Sequence, residues 1–369
     1  MTSSVPPRAS FRAVAVGTLA AGACLGVLLA GCSPSPTGAP RRAAATSPAT
    51  LAAAARADNQ LEDGYVRTVK TVLPSVVQIT ARQGLGSGVV YDDSGHIVTN
   101  AHVVGRERSF KVTTANGSAT LTAKLVSSYP AQDLAVLKLD RTPKELHPAR
   151  FGDSSKVQIG QVVLAMGSPL GLSGSVTQGI VSATGRTVSE PAAEGSPGAT
   201  IADMVQTSAA INPGNSGGAL VNLDNQVVGI PTLAATDPQL GNGAAPGIGF
   251  ALPASTVKKL ADQIIKKGRV TDSGRAALGL TARTLLGSDL QPAGVVVARV
   301  TPGGPADDAG IRAEDVITAV AGAPVTTLQS LSEALATRKP GQKVEVKLER
   351  GGEERTVEVK LGELSANAS

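Results

Sequence analysis

At 369 residues, with 42% hydrophobic and 17% charged residues, the chain has room for two or three domains and is too apolar for a disordered protein. Its net charge of +5 is the difference between 34 basic and 29 acidic residues, with no dense basic run interleaved with aromatics, which argues against nucleic-acid binding. Trp is absent and aromatics are only 2%, so the core must be built from Val, Ile, Leu and Ala; 42 Gly and 23 Pro cut it into short elements, the signature of a turn-rich β protein.

The first 31 residues differ from the rest. Arg8 and Arg12 precede an uncharged apolar run from Ala13 to Gly31, which has the form of a secretory signal peptide. The run ends in Leu29-Ala30-Gly31-Cys32, which resembles a bacterial lipobox and implies cleavage just before Cys32 and acylation of the new N-terminal Cys. Two or more acyl chains would anchor the protein stably to a membrane. The alternative is an uncleaved anchor, since a run of about 19 residues nearly suffices to span a bilayer. Either reading puts the body of the protein on the extracytoplasmic face of the cell membrane. Cys24 and Cys32 are the only cysteines, so the folded region has no disulfide, thiol nucleophile or Cys-based metal site.

Residues 32 to 57, rich in Ser, Pro, Thr and Ala, read as a disordered linker. A helix is expected from Asp58 to Val72, stopped by Pro74. Short apolar stretches follow at Val76–Ala81, Gly88–Tyr91, His96–Asn100, Phe110–Thr114, Leu134–Leu139, Gln161–Met166, Ser175–Thr184, Gln226–Ile230 and Ile248–Leu252, and predict one or two antiparallel barrels. Ala254 to Lys267 places Val257, Leu260, Ala261 and Ile264 on one helical face, with Gly268 as its stop, and closes a domain spanning 58 to 270. From 271 to 369 strand and helix patterns alternate: strands at Ala277–Thr281, Gly294–Val300, Asp315–Val320, Lys343–Arg350 and Arg355–Leu361, helices near Pro305–Ala309 and Thr327–Thr337. That is a small α+β module.

Carbonyl attack by a serine needs a base, a group that fixes the base's tautomer, and donors for the oxyanion. His102 lies just past a strand end in Thr99-Asn100-Ala101-His102, and Asp133 immediately precedes the apolar run Leu134-Ala135-Val136-Leu137. Ser216 sits in Asn212-Pro213-Gly214-Asn215-Ser216-Gly217-Gly218, whose glycines permit backbone angles that aim the amides of Gly214 and Ser216 at one point. Each element alone has an ordinary reading: a turn for the Gly-rich string, a backbone-bonded strand-end histidine, a capping aspartate. The other two histidines, His96 after a turn and His147 before Pro148, have no such surroundings. The three together, in the order His, Asp, Ser, match the chymotrypsin-type arrangement.

Residues 65 to 363 resemble the HtrA (high-temperature-requirement, DegP-like) family. The resemblance rests on Gly86-Ser87-Gly88, the His102 and Asp133 segments, Gly167-Ser168-Pro169, Ser175 to Ser182, the Ser216 loop, and Gly247-Ile248-Gly249-Phe250-Ala251-Leu252-Pro253. It implies a mainly β fold, a chymotrypsin-like double β-barrel protease domain followed by one small α+β PDZ domain. It also implies ATP-independent endoproteolysis of unfolded or damaged envelope proteins by a homotrimer. By similarity Ile211 and Ile248 would line a shallow apolar pocket for aliphatic side chains. Three departures qualify the likeness: Ser208 where an Asp is common, Pro231 where an Asn is usual, and a short loop between Thr80 and Gly86. The C-terminal module matches in Ala277-Leu278-Gly279-Leu280, in Val300 to Ala306 and in Gly310 to Ile317. In such domains backbone amides near Leu278, Gly279 and Leu280 would hold a peptide carboxylate, beside a helix whose Leu331 and Leu335 either line the groove or fill the core. Tyr65 would pack across a trimer interface or cover the barrel. Neither a metal cluster nor a phosphate loop occurs, and the chemistry needs no cofactor. The competing reading is a non-catalytic chaperone or scaffold that binds unfolded proteins through the same surfaces.

Overall fold

The computed structural model describes residues 48–82, 84–114, 120–168, 174–190, 199–212, 214–237 and 243–364. Residues 1–53 and 54–369 form separate compact units; of the first, only the opening of helix α1 is described.

Helix α1 runs Pro48–Val72, so residues 48 to 57, expected to belong to a linker, are helical. The run Ala52 to Ala55 explains the difference, because alanine has the highest helix propensity. Tyr65 and Val69 pack against the core beneath the helix, while Leu61 and Val66 face outward.

Strands β1 (Val76–Thr80), β2 (Leu85–Val90), β3 (His96–Thr99), β4 (Ser109–Thr114), β5 (Thr120–Tyr129) and β6 (Leu134–Leu139) close a barrel in the order β1-β2-β3-β6-β5-β4. The second sheet is built from β7 (Arg150–Phe151), β8 (Val162–Gly167), β9 (Ser175–Glu190), β10 (Ala199–Thr207), β11 (Ala219–Asn222), β12 (Gln226–Asp237) and β13 (Gly243–Pro253). Its order is β11-β8-β9-β10-β13-β12-β7, and a further pairing of β11 with β12 closes the six strands from β11 to β12 into a second barrel.

The two-residue period of a strand distributes side chains between three apolar layers. Along β6, Ala135, Leu137 and Leu139 point into the first barrel, while Leu134 and Val136 join the layer between the barrels. Along β8, Val163 and Ala165 fill the second barrel, and Leu164 and Met166 face the shared layer. Both faces of such strands are buried, so they read as continuous apolar runs rather than as alternation. Each fully buried Ile or Leu, such as Ile79 or Leu137, contributes about 1.5–3 kcal/mol.

Four strands of these two sheets escaped the sequence pattern, among them β7, which is only two residues long. The outer face of β5 carries exposed Thr and Lys, and β11 is only four residues long. Strand β10 is broken by register shifts on both sides of Met204, with Asp203 in a left-handed conformation (φ 63°) that interrupts its alternation.

Helix α2 (Ala101–Val104) follows β3. Helix α3 (Ala254–Lys267) buries Val257, Leu260, Ala261 and Ile264 in the shared layer and ends at Gly268 in the left-handed conformation.

The C-terminal module contains β14 (Ala276–Ala277), β15 (Leu280–Leu286), β16 (Pro292–Val300), α4 (Pro305–Asp308), β17 (Val316–Val320), β18 (Ala323–Pro324), α5 (Leu328–Ala336), β19 (Lys343–Arg350), β20 (Glu353–Lys360) and β21 (Gly362–Glu363). Its main sheet has the order β15-β16-β17-β19-β20, and β14 pairs with β21. Thr327 and Ser330 form a reciprocal capping box at the start of α5. Leu331 is buried in the module's core and Leu335 packs against it, so both leucines fill the core.

Candidate active site

His102 is the second residue of α2, whose N-cap is buried Asn100 and which follows the strand ending in buried Thr99. Asp133 follows a 3₁₀ turn at Pro130–Gln132 and adopts the left-handed conformation (φ 47°, ψ 43°), which Asp tolerates better than most residues. The turn directs its carboxylate at His102. The His102 main-chain N–H donates to Asp133 Oδ1 at 2.9 Å, and ring Nδ1 lies 2.8 Å from Oδ2. The carboxylate is an acceptor, so Nδ1 carries the proton, and in the neutral ring this is the tautomer a general base requires. Asp133 is 3% exposed, whereas the His102 side chain retains 29% of its exposure. The carboxylate thus works in a water-poor setting while the imidazole opens outward.

The loop carrying Ser216 is wedged between the barrels. Ser87 of β2 donates its N–H to the Ser216 carbonyl at 2.9 Å, and Gly217 donates to the Pro231 carbonyl at 2.9 Å. Gly217 has φ 80°, and a Cβ there would sit 2.3 Å from the Ser87 carbonyl and 2.4 Å from Thr99 Oγ1. Only glycine permits both the angle and the approach. A Cβ on Gly167 would likewise meet Asn215 Cα at 2.5 Å. Within the loop the Asn215 side chain accepts from the Asn212 N–H (3.1 Å) and donates to the Ala210 carbonyl (3.0 Å), holding a turn closed by Asn215 N–H to Asn212 O at 3.1 Å.

Several residues that organise the site were not singled out from the sequence. Buried Asn100 donates through Nδ2 to the Asp133 carbonyl at 3.0 Å and to Thr232 Oγ1 at 2.9 Å, and Ser216 Oγ lies 3.5 Å from the Thr232 carbonyl. One amide side chain therefore links the elements carrying His102, Asp133 and Ser216. Ser87 Oγ donates to the Gly214 carbonyl at 2.5 Å and accepts from the Ser168 N–H at 2.8 Å. The sequence signal was a polar residue inside an apolar strand or at its end, as in Val98-Thr99-Asn100 and Gly86-Ser87-Gly88.

Gly214 has φ 108°, and among the described residues neither its amide nor that of Ser216 donates to a carbonyl or a side chain. Ile211 is buried, with Gly249 so close that a Cβ there would meet its Cγ1 at 2.3 Å; Ile248, the preceding residue, is 39% exposed. Ser208, the first departure from the family pattern, accepts the Ile180 N–H through Oγ at 3.0 Å and donates its own N–H to the Ile180 carbonyl at 3.1 Å. Pro231, the second, takes part through its carbonyl alone. In the short loop after β1, Ala81 N–H donates to the Gly84 carbonyl at 3.0 Å.

In the C-terminal module Leu278 is buried and its carbonyl accepts from the Ala306 N–H at 2.8 Å, so its side chain serves the core. Gly279 has φ 71°, and Leu280 opens β15, which lies at the edge of its sheet. The α5 N-terminus is tied to that strand by Leu328 N–H to Thr284 Oγ1 at 3.2 Å. Cys32 lies outside the described residues. Among the described residues no helix is long and apolar enough to cross a membrane, and no cluster of His, Cys, Asp or Glu is arranged to hold a metal ion.

The trypsin-like peptidase domain family matches residues 86–230, and the PDZ domain family matches residues 269–361. The chain is 40% identical over 293 residues to the serine protease Do-like HtrA of Lactobacillus helveticus, covering 75% of this chain and 68% of that protein. It is 39% identical over 291 residues to the periplasmic serine endoprotease DegP of Escherichia coli K12, covering 77% of this chain and 58% of that one. Among solved structures, the serine endoprotease from Yersinia pestis superposes with a TM-score of 0.54 at 35% identity, over 82% of this chain and 98% of that one. The chain spans between about half and two thirds of the length of the curated relatives it matches.

Proposed function

Because the chain belongs to the HtrA family of serine proteases, with a trypsin-like peptidase domain followed by a PDZ domain, we propose that it is a serine endopeptidase acting on unfolded or damaged proteins outside the cytoplasm. The observation that carries this reading is the pair of contacts from His102 to Asp133, which fixes the imidazole with Nε2 as the base. In the reaction, His102 takes the proton of Ser216 Oγ as it attacks the scissile carbonyl. The resulting imidazolium is held by the Asp133 carboxylate and then protonates the departing amine. The developing oxyanion is bound by the amides of Gly214 and Ser216, the two loop donors with no acceptor among the described residues. A second cycle with water hydrolyses the acyl-enzyme.

Ile211 and Ile248 would form an apolar pocket for aliphatic side chains. Such a pocket discriminates weakly, by about 1–3 kcal/mol per methylene, which suits an enzyme of protein quality control. The PDZ domain, residues 271–369, would take up peptide C-termini as an added strand on β15, with the carboxylate at the amides of Leu278, Gly279 and Leu280. The protease domain spans 58–270. Outward-facing Leu61 and Val66 on α1 support self-association, in keeping with a homotrimer. Residues 1–31 would be a signal peptide and Cys32 the acylated N-terminus, tethering the protein to the outer face of the cell membrane. Mass spectrometry of the mature N-terminus checks this: a lipid-modified Cys32 supports it and an intact Met1 rejects it.

The decisive test compares the purified protein with its Ser216→Ala variant on casein. Cleavage by the first and none by the second supports the enzyme. Equal, absent cleavage with both suppressing aggregation would establish the chaperone reading instead.

A further inference from the structure

Strand β15 is an edge of the PDZ sheet, with β16 on one side only, so its other side presents backbone groups with which a further strand can pair. With a peptide carboxylate at the amides of Leu278, Gly279 and Leu280, at the start of β15, the peptide must run antiparallel to this strand. Its last residue then lies beside Leu280, and each earlier residue lies one step further along. Residues paired across strands share a face. The last residue and the third from the end therefore lie on the face of Leu280 and Ala282, which pack against the domain's core. The penultimate residue and the fourth from the end lie on the opposite face, beside Thr281 and Arg283.

That opposite face is basic beside the edge. Arg283 is exposed, and so is Arg299 of β16, which pairs across the strands with Thr281. Thr281 is short, so the Arg299 side chain can extend over it toward the place of the penultimate residue. Among the described residues neither arginine makes an ion pair or a side-chain hydrogen bond. The acids around them are occupied or distant. Asp289, at the tip of the β15–β16 hairpin, accepts from Gln291 N–H at 3.0 Å. Glu314 donates its N–H to the Val297 carbonyl at 2.9 Å yet makes no ion pair with Arg299. The cross-strand row from Arg283 through Val296 and Val316 meets a carboxylate only at Glu349 of β19, three strands and about 14 Å away. A strand added to β15 would lie about 5 Å from it and bring its outward side chains closer to both cations than any of these acids.

We propose that this PDZ domain selects peptide C-termini with acidic side chains at the penultimate position and at the fourth from the end, the last residue being aliphatic. Arg283 faces the fourth residue directly, and Arg299 meets the penultimate one diagonally across Thr281. The strand's two-residue period makes the selection positional. An acid at the fifth position from the end lies beside Thr284, on the face of α5, where Thr284 Oγ1 is already taken by the Leu328 N–H. Exposed cross-strand charge pairs are individually weak and screened by salt, so the two pairs act as modest, separable increments. The inference rests on the reading that the domain takes up peptide C-termini and goes beyond it by naming their sequence class.

The experiment measures the fluorescence anisotropy of labelled decapeptides ending in Val, bound by the full chain carrying Ser216→Ala so that none is cut. Relative to a peptide with Gln at both positions, Glu at the fourth from the end tightens Kd about threefold, and Glu at both about tenfold, at low salt. At about 0.5 M salt the gain falls below about twofold. Glu moved to the fifth position brings no gain. Arg283→Gln abolishes the gain from the fourth position and keeps that from the penultimate one, and Arg299→Gln does the reverse. Equal Kd for Glu and Gln peptides, or an equal gain from the fifth position, overturns the proposal without recourse to any variant. A gain that survives both substitutions overturns it as well. An amidated Gln peptide separates the proposal from the reading beneath it. Where free and amidated C-termini bind alike, the C-terminus reading fails and this proposal with it; where the free one binds tighter and Glu adds nothing, this proposal alone fails.

Discussion

Asp133 uses both carboxylate oxygens on one residue: Oδ1 accepts the main-chain N–H of His102 and Oδ2 faces its ring Nδ1, at 2.9 and 2.8 Å. The first contact fixes where α2 starts relative to the turn, and the second fixes the ring. Replacing Asp133 by Asn keeps the shape. With an amide N–H turned toward the ring, Nδ1 must become the acceptor and Nε2 the protonated nitrogen, which removes the base. Asp133→Asn is expected to lower kcat about ten-thousand-fold with little change in the thermal midpoint, measured by peptide hydrolysis and calorimetry.

Gly217 has no space for a side chain, with the Ser87 carbonyl and Thr99 Oγ1 both under 2.5 Å from an added Cβ and φ at 80°. Gly217→Ala is therefore expected to push the Ser216 loop away from β2. Activity should fall at least about a hundredfold, because a displacement of about 1 Å at the nucleophile has that effect. Stability should drop by about 2–3 kcal/mol through overpacking and strain. Titration of Ser216 with an active-site fluorophosphonate reports the first effect and urea denaturation the second.

Asn100 bridges Asp133 and Thr232 from a buried position. Asn100→Ala removes both donations and leaves a buried carbonyl and hydroxyl short of a partner, a loss of about 2 kcal/mol. Because the bridge joins the elements of all three catalytic candidates, kcat should fall about tenfold or more as well. Thr232→Val, which removes only one of the two acceptors, should cost about half as much stability. Paired urea titrations and initial-rate measurements distinguish the two variants.

In the PDZ domain, buried Asp315 receives Arg350 Nε at 2.6 Å and Nη2 at 2.7 Å, together with the Arg312 N–H at 2.8 Å. Burial pushes its carboxyl upward, but the Arg350 and Arg312 hydrogen bonds and charges outweigh it and hold the pKa below the ordinary value. A folded-state pKa below the unfolded value of about 3.9 gives stabilisation that is complete above that pH and is lost as the pH falls through the folded value. Asp315→Asn should lower the unfolding midpoint of the PDZ domain at neutral pH. The gap between variant and parent should narrow below about pH 4, as followed by calorimetry across the acid range.

Ile211 belongs to the core of the second barrel and lies against Gly249, the residue after exposed Ile248. Ile211→Ala should deepen the pocket and shift preference from smaller toward larger aliphatic side chains by about 1–2 kcal/mol in kcat/KM. Competition between peptides differing only in the residue before the scissile bond measures it.

The β-rich architecture and the candidate catalytic residues were legible in the sequence. Continuous apolar runs such as Leu134-Ala135-Val136-Leu137 announce strands buried on both faces, the spacing in Ala254 to Lys267 and its terminal Gly268 delimit α3, and the glycines around Ser216 announce a tight loop. These features are local, governed by side-chain period and backbone freedom within a few residues. Strands β5 and β10 were not legible because exposed polar residues and the bulge at Asp203 break the period on which such a reading depends. The extension of α1 back to Pro48 escaped because a composition poor in large apolar residues suggested disorder, while the alanines favoured helix.

What surrounds the candidate catalytic groups comes from long-range packing. Asn100 and Thr232 are 132 residues apart, as are Arg275 and Ala131 by 144, and no local pattern relates such positions. The barrels bring them together because the layer between them must be closed on every side, and a buried amide or guanidinium then takes whatever carbonyl lies within reach. His102 and Asp133 were legible as candidates from their neighbours in sequence. That Asp133 meets His102 at two points, and that Arg275 reaches the Ala131 carbonyl two residues before it, follows from packing alone.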